Sequence, residues 1–183
     1  MYGERAAIAV MGPARAEGPK AGRVADLASA LGHHLARAGY AVVVEGNGLA
    51  AQAVARSARQ SDAPVVAITS SSDHNWPTLP GVAVEETKGA FSSISRVLEL
   101  ADAVILLSGD LRALTLLTQV WTWGLEPDAP YRQTILVGDG WPETVRTLAD
   151  AVGLDAKTRS MVTFAKEAAE AVEALRYYIA ATR

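Results

Sequence analysis

Several stretches of this chain are apolar almost from end to end: AAIAVMG (6–12), YAVVVEG (40–46), APVVAITS (63–70), AVILLSG (103–109) and QTILVGDG (133–140). A strand with one wet face alternates apolar and polar residues, whereas a strand that does not alternate is buried on both faces. Both faces can be covered only if other elements lie above and below the sheet. The intervening segments supply them. Residues 20–39 place Val24, Leu27, Ala28, Leu31 and Leu35 on one helical face, with Gly39 as the stop. Residues 48–60 predict a second helix, and 88–100 a third, with Phe91, Ile94, Leu98 and Ala101 spaced by three and four. Helices are also predicted over 111–124, over 141–153, where Pro142 suits a first turn, and over 166–181, with a stripe of Ala168, Val172, Leu175 and Ile179.

VAVEE (82–86) and MVTF (161–164) read as shorter strands, and SSDHNWPTLPG (71–81) as a loop. Helices alternating with buried strands make right-handed crossovers and a parallel sheet. The expected fold is therefore α/β, a Rossmann-like doubly wound, mainly parallel sheet of about seven strands with helices on both faces. A single domain over 1–183 accommodates it.

Composition narrows the function. Half of the 183 residues are apolar, enough for a real core, and a net charge of −3 offers no extended surface for nucleic acid. The absence of cysteine excludes disulfides, thiolate metal sites and a cysteine nucleophile. The opening MYGERAAIAVMGP is not a signal peptide, and no run approaches the ~20 apolar residues of a membrane span, so a cytoplasmic protein is expected.

Ligands of doubly wound folds sit beyond the carboxyl ends of the strands, where strand order reverses. Four turns qualify: 12–19, 45–50, 69–75 and 108–113. Phosphate needs backbone N–H groups, a helix N-terminus and little bulk in the way. GPARAEGPK (12–20) offers Gly12, Gly18, Arg15 and Lys20; the alternative is an ordinary loop with solvated charges. EGNGLAAQ (45–52) places Gly46 and Gly48 on a strand-to-helix turn, where glycine serves either a ligand or the turn itself. In SGDLRALTLL (108–117), Ser108 and Asp110 are candidate N-caps. A carboxylate there occupies the positive end of the helix dipole that an anion would need, and Arg112 would compensate. Asp73 with His74 is a possible acid–base or metal pair, but the three histidines, with His33 and His34 on a helix, lack clustered carboxylates, so no metal is expected. Ser71, Asp73 and His74 are too close in sequence to converge as a triad. Trp121 and Trp123 face different ways on one helix, one toward the core and the other toward a subunit contact.

The stretch ADAVILL (101–107), SGDLRALTL (108–116) and QVWTWGL (119–125) resembles the LONELY GUY (LOG)-like family, once labelled "lysine decarboxylase-like". There a strand enters PGGxGTxxE and a helix reading close to EVWTWGQLG. VVVEGNGLAAQAVA (42–55) resembles the family's second glycine-rich turn, and IAVMGPA (8–14) its first. The resemblance covers roughly residues 6 to 140. It implies a nucleotide-binding Rossmann fold and, in members with the full motif, hydrolysis of the N-glycosidic bond of nucleoside 5′-monophosphates such as cytokinin ribotides or AMP. The motif glutamate and an arginine on the preceding helix form the functional pair.

This chain departs at those positions. The motif's proline is Ser108, its glycines are Gly109, Asp110 and Arg112, its threonine is Ala113, and its glutamate is Leu116; the family arginine falls on Ser93. Leucine can neither stabilise a developing positive charge nor direct a water, and loss of a catalytic carboxylate lowers rate by orders of magnitude. Arg96, one turn along, is a candidate displaced phosphate ligand or a solvated charge. Glu45 and Glu86, near strand ends, are candidate substitute carboxylates. The expected function is thus binding of a nucleotide or phosphorylated small molecule without hydrolysis, with ligand contacts among Gly12, Arg15, Gly46, Gly48, Arg96, Ser108, Gly109, Asp110 and Arg112. The alternatives are an active phosphoribohydrolase with rearranged residues and a structural oligomer with a vestigial pocket. No further cofactor is expected, and a homodimer is, through helices 88–100 and 111–124.

Overall fold

The computed structural model describes residues 5–15, 19–71, 76, 79–126 and 132–182. In chain order the elements are β1 (Ala7–Met11), α1 (Pro19–Arg37), β2 (Ala41–Glu45), α2 (Leu49–Gln60), β3 (Val65–Ser70), β4 (Val82–Thr87), α3 (Ala90–Leu100), β5 (Ala103–Leu107), α4 (Leu111–Leu125), β6 (Gln133–Val137), α5 (Trp141–Val152), α6 (Ala156–Arg159), β7 (Val162–Ala165) and α7 (Ala168–Thr182). The strands form one sheet in the order β4-β3-β2-β1-β5-β6-β7, and every pair is parallel. The expected α/β doubly wound architecture is what forms, with the sheet parallel throughout rather than mainly so.

The unbroken apolar runs are explained by the two cores. Successive side chains of a strand point to opposite faces. Ile8 and Val10 join a core with Leu31 and Leu35 of α1, Val54 of α2 and Leu175 of α7. Ala7, Ala9 and Met11 join the other, with Val97 of α3, Leu116 and Leu117 of α4 and Val145 of α5. The edge strand β4 is half exposed, as the carboxylates in VAVEET require.

One helix escaped the sequence reading. The single turn α6 is too short to show a period, and its signal is a cap: Asp155 accepts a 2.7 Å hydrogen bond from the Thr158 N–H. The other boundaries differ from expectation by a few residues at most; α1 ends at Arg37 because Ala38 and Gly39 close it as a turn, Gly39 at φ 83°.

Helices α1 and α2 approach closely on one face, and Gly32 is the reason they can. A Cβ there would run into the Val54 carbonyl oxygen and lie 3.0 Å from Ala58 N and 3.1 Å from Ser57 Cβ. Alanine gains about 1 kcal/mol of helix propensity over glycine, but overpacking costs about 1–3 kcal/mol. Gly32→Ala is therefore expected to lower the urea midpoint. Gly22→Ala, on the same helix with nothing within 4 Å, should raise it. Equal gains at both positions would show that the helices are free to separate.

Candidate functional site

Strand order reverses between β1 and β5, which places the switch point where the loop after Met11 meets the turn after Leu107. The two are in tight contact. A Cβ on Gly109 would lie 2.7 Å from Pro13 Cγ, and one on Gly138, in the turn after β6, would collide with the Ser108 hydroxyl. The β1 loop is also fastened on its other side. Leu49 N–H donates to the Ala14 carbonyl at 2.9 Å, Ala50 N–H to Pro13 at 3.4 Å, and a Cβ on Gly48 would lie 2.9 Å from Ala14 Cβ. The first N–H groups of α2 are thus committed to backbone carbonyls, and Gly48 is required for the close approach of two loops. Gly46 sits beside it at φ 72°. Neither glycine borders the cavity described next.

That cavity, about 1050 Å³, lies beyond the carboxyl ends of β5, β6 and β7. Its walls are Arg15, the first half of α1 (Arg23, Val24, Leu27), the β5–α4 turn (Ser108, Gly109, Asp110) with Leu111 and Leu114, the β6–α5 turn (Gly138, Asp139, Gly140), Trp141 and Lys166. Trp141 is buried as a fixed wall, its indole N–H donating to the Leu106 carbonyl at 3.1 Å. Asp110 caps α4, accepting from Ala113 N–H at 3.0 Å. Helix α5 has no side-chain cap: Gly140 holds that position.

The arginines sort into spent and unspent. Arg96 Nε lies 2.7 Å from Glu85 Oε1 and its Nη1 3.1 Å from Glu99 Oε2; these hydrogen bonds, Glu85 first, raise its pKa above the usual value. Arg112 Nη2 donates to both oxygens of Glu45 at 2.7 Å. Arg15, Arg23 and Lys166, by contrast, make no ion pair with a described carboxylate, and all three are exposed at the cavity.

Glu45 is, among the described residues, the one buried charged side chain. Beside Arg112 it meets the hydroxyl of Ser93, 3.0 Å from Oε1, which also lies 2.8 Å from the Ala90 carbonyl. The LOG-like motif that the sequence resembles has a guanidinium at position 93 and a carboxylate at position 116; here the pair comes from other positions. The guanidinium absent from position 93 enters from position 112, where the motif has glycine, and the carboxylate absent from 116 is matched by one at the end of β2. The pair closes on itself, with the Glu45 side chain 2% exposed. Leu116 is fully buried among the apolar residues under α4. Glu86 stands exposed on the edge strand, away from the cavity.

Of the residues singled out in sequence, Arg15, Ser108, Gly109 and Asp110 come together at the cavity. Gly12 packs behind it, where a Cβ would lie 2.9 Å from Leu107 Cβ. Gly46, Gly48, Arg96 and Arg112 lie elsewhere. Gly18, Asp73, His74 and the Lys20 side chain fall outside the described residues. His33 and His34 are exposed on α1, and no metal-sized group of histidines and carboxylates occurs among the described residues. Sequence reasoning missed Arg23, Lys166 and the β6–α5 turn. The turn had a signal in Gly138-Asp139-Gly140, a small-residue link between a buried strand and a helix; Arg23 and Lys166 had none beyond their charge.

No family model matches the chain, and no curated protein matches it by sequence. Solved structures do match in shape. The molybdenum cofactor binding protein from the phototrophic bacterium Rippkaea orientalis is similar at TM-score 0.74 and 19% identity, over 97% of this chain and 99% of that one. The molybdenum cofactor carrier protein from Chlamydomonas reinhardtii is similar at TM-score 0.74 and 16% identity, over 96% and 99%. DNA processing protein A from Helicobacter pylori, whose structure is described for its single-stranded DNA binding, is similar at TM-score 0.56 and 16% identity, over 94% and 80%. Such likeness establishes the fold, which hosts more than one kind of ligand, so the site must decide among them. No described helix is long and apolar enough to cross a membrane.

Proposed function

We propose that this chain is a LOG-like binding protein that holds a nucleotide or another phosphorylated small molecule in the cavity at the β5–β6 strand ends and does not hydrolyse it. The observation that carries the reading is the convergence on one cavity of three cations with no carboxylate partner among the described residues, while Arg96 and Arg112 are engaged. Cations exposed beside a concave, partly apolar wall suit an anion attached to a less polar body. The two structural neighbours named for the molybdenum cofactor support binding or carriage over cleavage. Against hydrolysis stand Leu116, which is core, and Glu45, which is sealed under Arg112.

The test is direct. A ligand at ~100 times its Kd adds about 2.7 kcal/mol, which raises the melting temperature of a chain this size by about 5–10 °C. Phosphate, AMP and cytokinin ribotides, screened at millimolar concentration, should include compounds that do so. The triple variant Arg15→Gln, Arg23→Gln, Lys166→Gln should abolish the shift without lowering the ligand-free melting point, since none of the three is paired with a described carboxylate. Base release from AMP should stay at the buffer rate. Robust turnover, or a ligand shift unchanged in the triple variant, would reject the reading.

A homodimer through α3 and α4 belongs to the same proposal. From Leu111 to Leu125, α4 carries no charge except Arg112, and its exposed side chains include Leu111, Thr115, Thr118, Thr122 and Leu125. Phe91 of α3 is 76% exposed, and between the helices lies a groove bordered by Phe91, Trp123 and Thr122. Trp121 points into the core instead.

A further inference from the structure

Thr115, Thr118 and Thr122 lie along the exposed face of α4, and their hydroxyls are spent. Thr115 Oγ1 donates to the Leu111 carbonyl at 3.0 Å, Thr118 Oγ1 to the Thr115 carbonyl at 2.8 Å and Thr122 Oγ1 to the Thr118 carbonyl at 2.8 Å. This ridge asks no hydrogen bond of a neighbour. Two other polar atoms of the helix do. Gln119 Oε1 and Trp123 Nε1 are shielded from solvent, and neither has a hydrogen-bond partner among the described residues. Both residues border the groove of about 290 Å³ between α3 and α4, with Phe91, Ile94 and Leu98 of α3. Trp121 Nε1 is unanswered too, but its side chain lies in the core and does not border the groove.

The two atoms are complementary. An amide oxygen only accepts, and an indole N–H only donates. Residues four apart lie one turn apart on the same helix face. A buried donor or acceptor left unanswered destabilises the state that holds it. In a two-fold interface, residue i meets residue j of the other copy and j meets i. An antiparallel crossing of α4 on its own copy, with the dyad midway between positions 119 and 123, therefore answers all four atoms with two identical bonds. A strongly charged partner would find nothing to match: from Leu111 to Leu125 the helix carries no charge except Arg112, which is committed to Glu45.

Resting on the homodimer reading above, we infer that Gln119 and Trp123 set the register of the contact between copies: the Trp123 indole N–H of each protomer donates to Oε1 of the partner's Gln119. Seating of the second copy turns the two side chains toward the groove, where each protomer supplies the group the other lacks.

Two single variants of the full chain, and their mixture, test this. In Trp123→Phe both glutamines of the dimer lose their donor; in Gln119→Leu both indoles lose their acceptor. Sedimentation equilibrium should show each variant dimerising about tenfold or more weakly than the parent protein. A dimer built from one chain of each kind keeps one bond intact and sets leucine against phenylalanine at the other, with no group orphaned. Native mass spectrometry of the equimolar mixture should therefore show the heterodimer well above the half share of random pairing. Damage to either fold would not be repaired by mixing. The inference is overturned if the heterodimer stays at the half share, as it would for a bond made within one chain, or if both variants dimerise like the parent. Phe91→Asp reports on the reading beneath it. A dimer that Phe91→Asp leaves untouched is built on another face, and that result, like a parent chain monomeric at every concentration, overturns the homodimer reading and this inference together. A dimer that Phe91→Asp disrupts, but whose two variants pair at random, overturns the register alone.

Discussion

Replacing Arg112 by alanine should destabilise the protein by about 3 kcal/mol, at the lower end of the cost of breaking a buried ion pair from one side. The magnitude follows from an asymmetry in burial. Glu45 keeps its carboxylate almost wholly out of water, while the Arg112 side chain is 36% exposed. Removing the arginine leaves a buried charge with only the Ser93 hydroxyl to answer it. Removing the charge from the other side is milder: in Glu45→Gln the amide oxygen still accepts from Ser93 and Arg112 turns to solvent, so about 1 kcal/mol is expected. The double variant Glu45→Met, Arg112→Met should recover most of the loss, because replacing both partners by apolar groups removes the desolvation cost together with the attraction. Urea denaturation of the three variants checks this at low and high salt. The Arg112→Ala loss should persist in 1 M salt, unlike anything contributed by the exposed Arg146–Glu143 pair. If Arg112→Ala matches the parent protein, the Glu45 carboxylate is not desolvated.

The sheet was legible because burial on two faces leaves a composition that nothing else imitates. AVILL and AIAVM have no wet side to encode, and the period change to LGHHLAR or SSISRVLEL marks each crossover. The cap role of Asp110 was legible for a similar reason: it depends on residues three apart. What the sequence could not reveal is which charges cancel. Glu45, Ser93 and Arg112 are separated by up to 67 positions and meet only because the ends of β2 and the starts of α3 and α4 converge. Read linearly, Arg112 is an available cation beside a helix N-terminus; in the fold it is already taken. Arg23 and Lys166 are ordinary surface charges by pattern and become site candidates only through the cavity they share. Gly48 illustrates the same limit. Its place in a strand-to-helix turn suits a phosphate or a packing contact equally well, and the proximity of Ala14 assigns it to packing.

Placing glutamate at position 116, where the family motif carries it, should destabilise the protein on the order of 4 kcal/mol or prevent folding, through burial of a polar group without a partner. Leu116 has no exposed surface and lies in the core beneath α4. A candidate partner is Arg112, one helical turn earlier on α4. To reach position 116 it would have to leave Glu45, so whichever carboxylate it served, the other would stay buried and unpaired. Protonation of the orphaned acid is the cheapest escape, which makes the variant less unstable at pH 5 than at pH 8: a buried acid whose pKa is raised costs folding more as pH climbs toward and past that value. Leu116→Met, which conserves volume, should cost under about 1.5 kcal/mol and show no such pH trend. Neither Leu116→Glu nor Leu116→Glu with Ser93→Arg should release base from AMP, because the guanidinium and carboxylate that meet in this fold are supplied by positions 112 and 45. Melting curves across pH and a base-release assay read both halves of the expectation. A double variant that melts with the parent protein and cleaves AMP would mean that position 116 opens onto the ligand and that the motif's chemistry had been suspended by two substitutions alone.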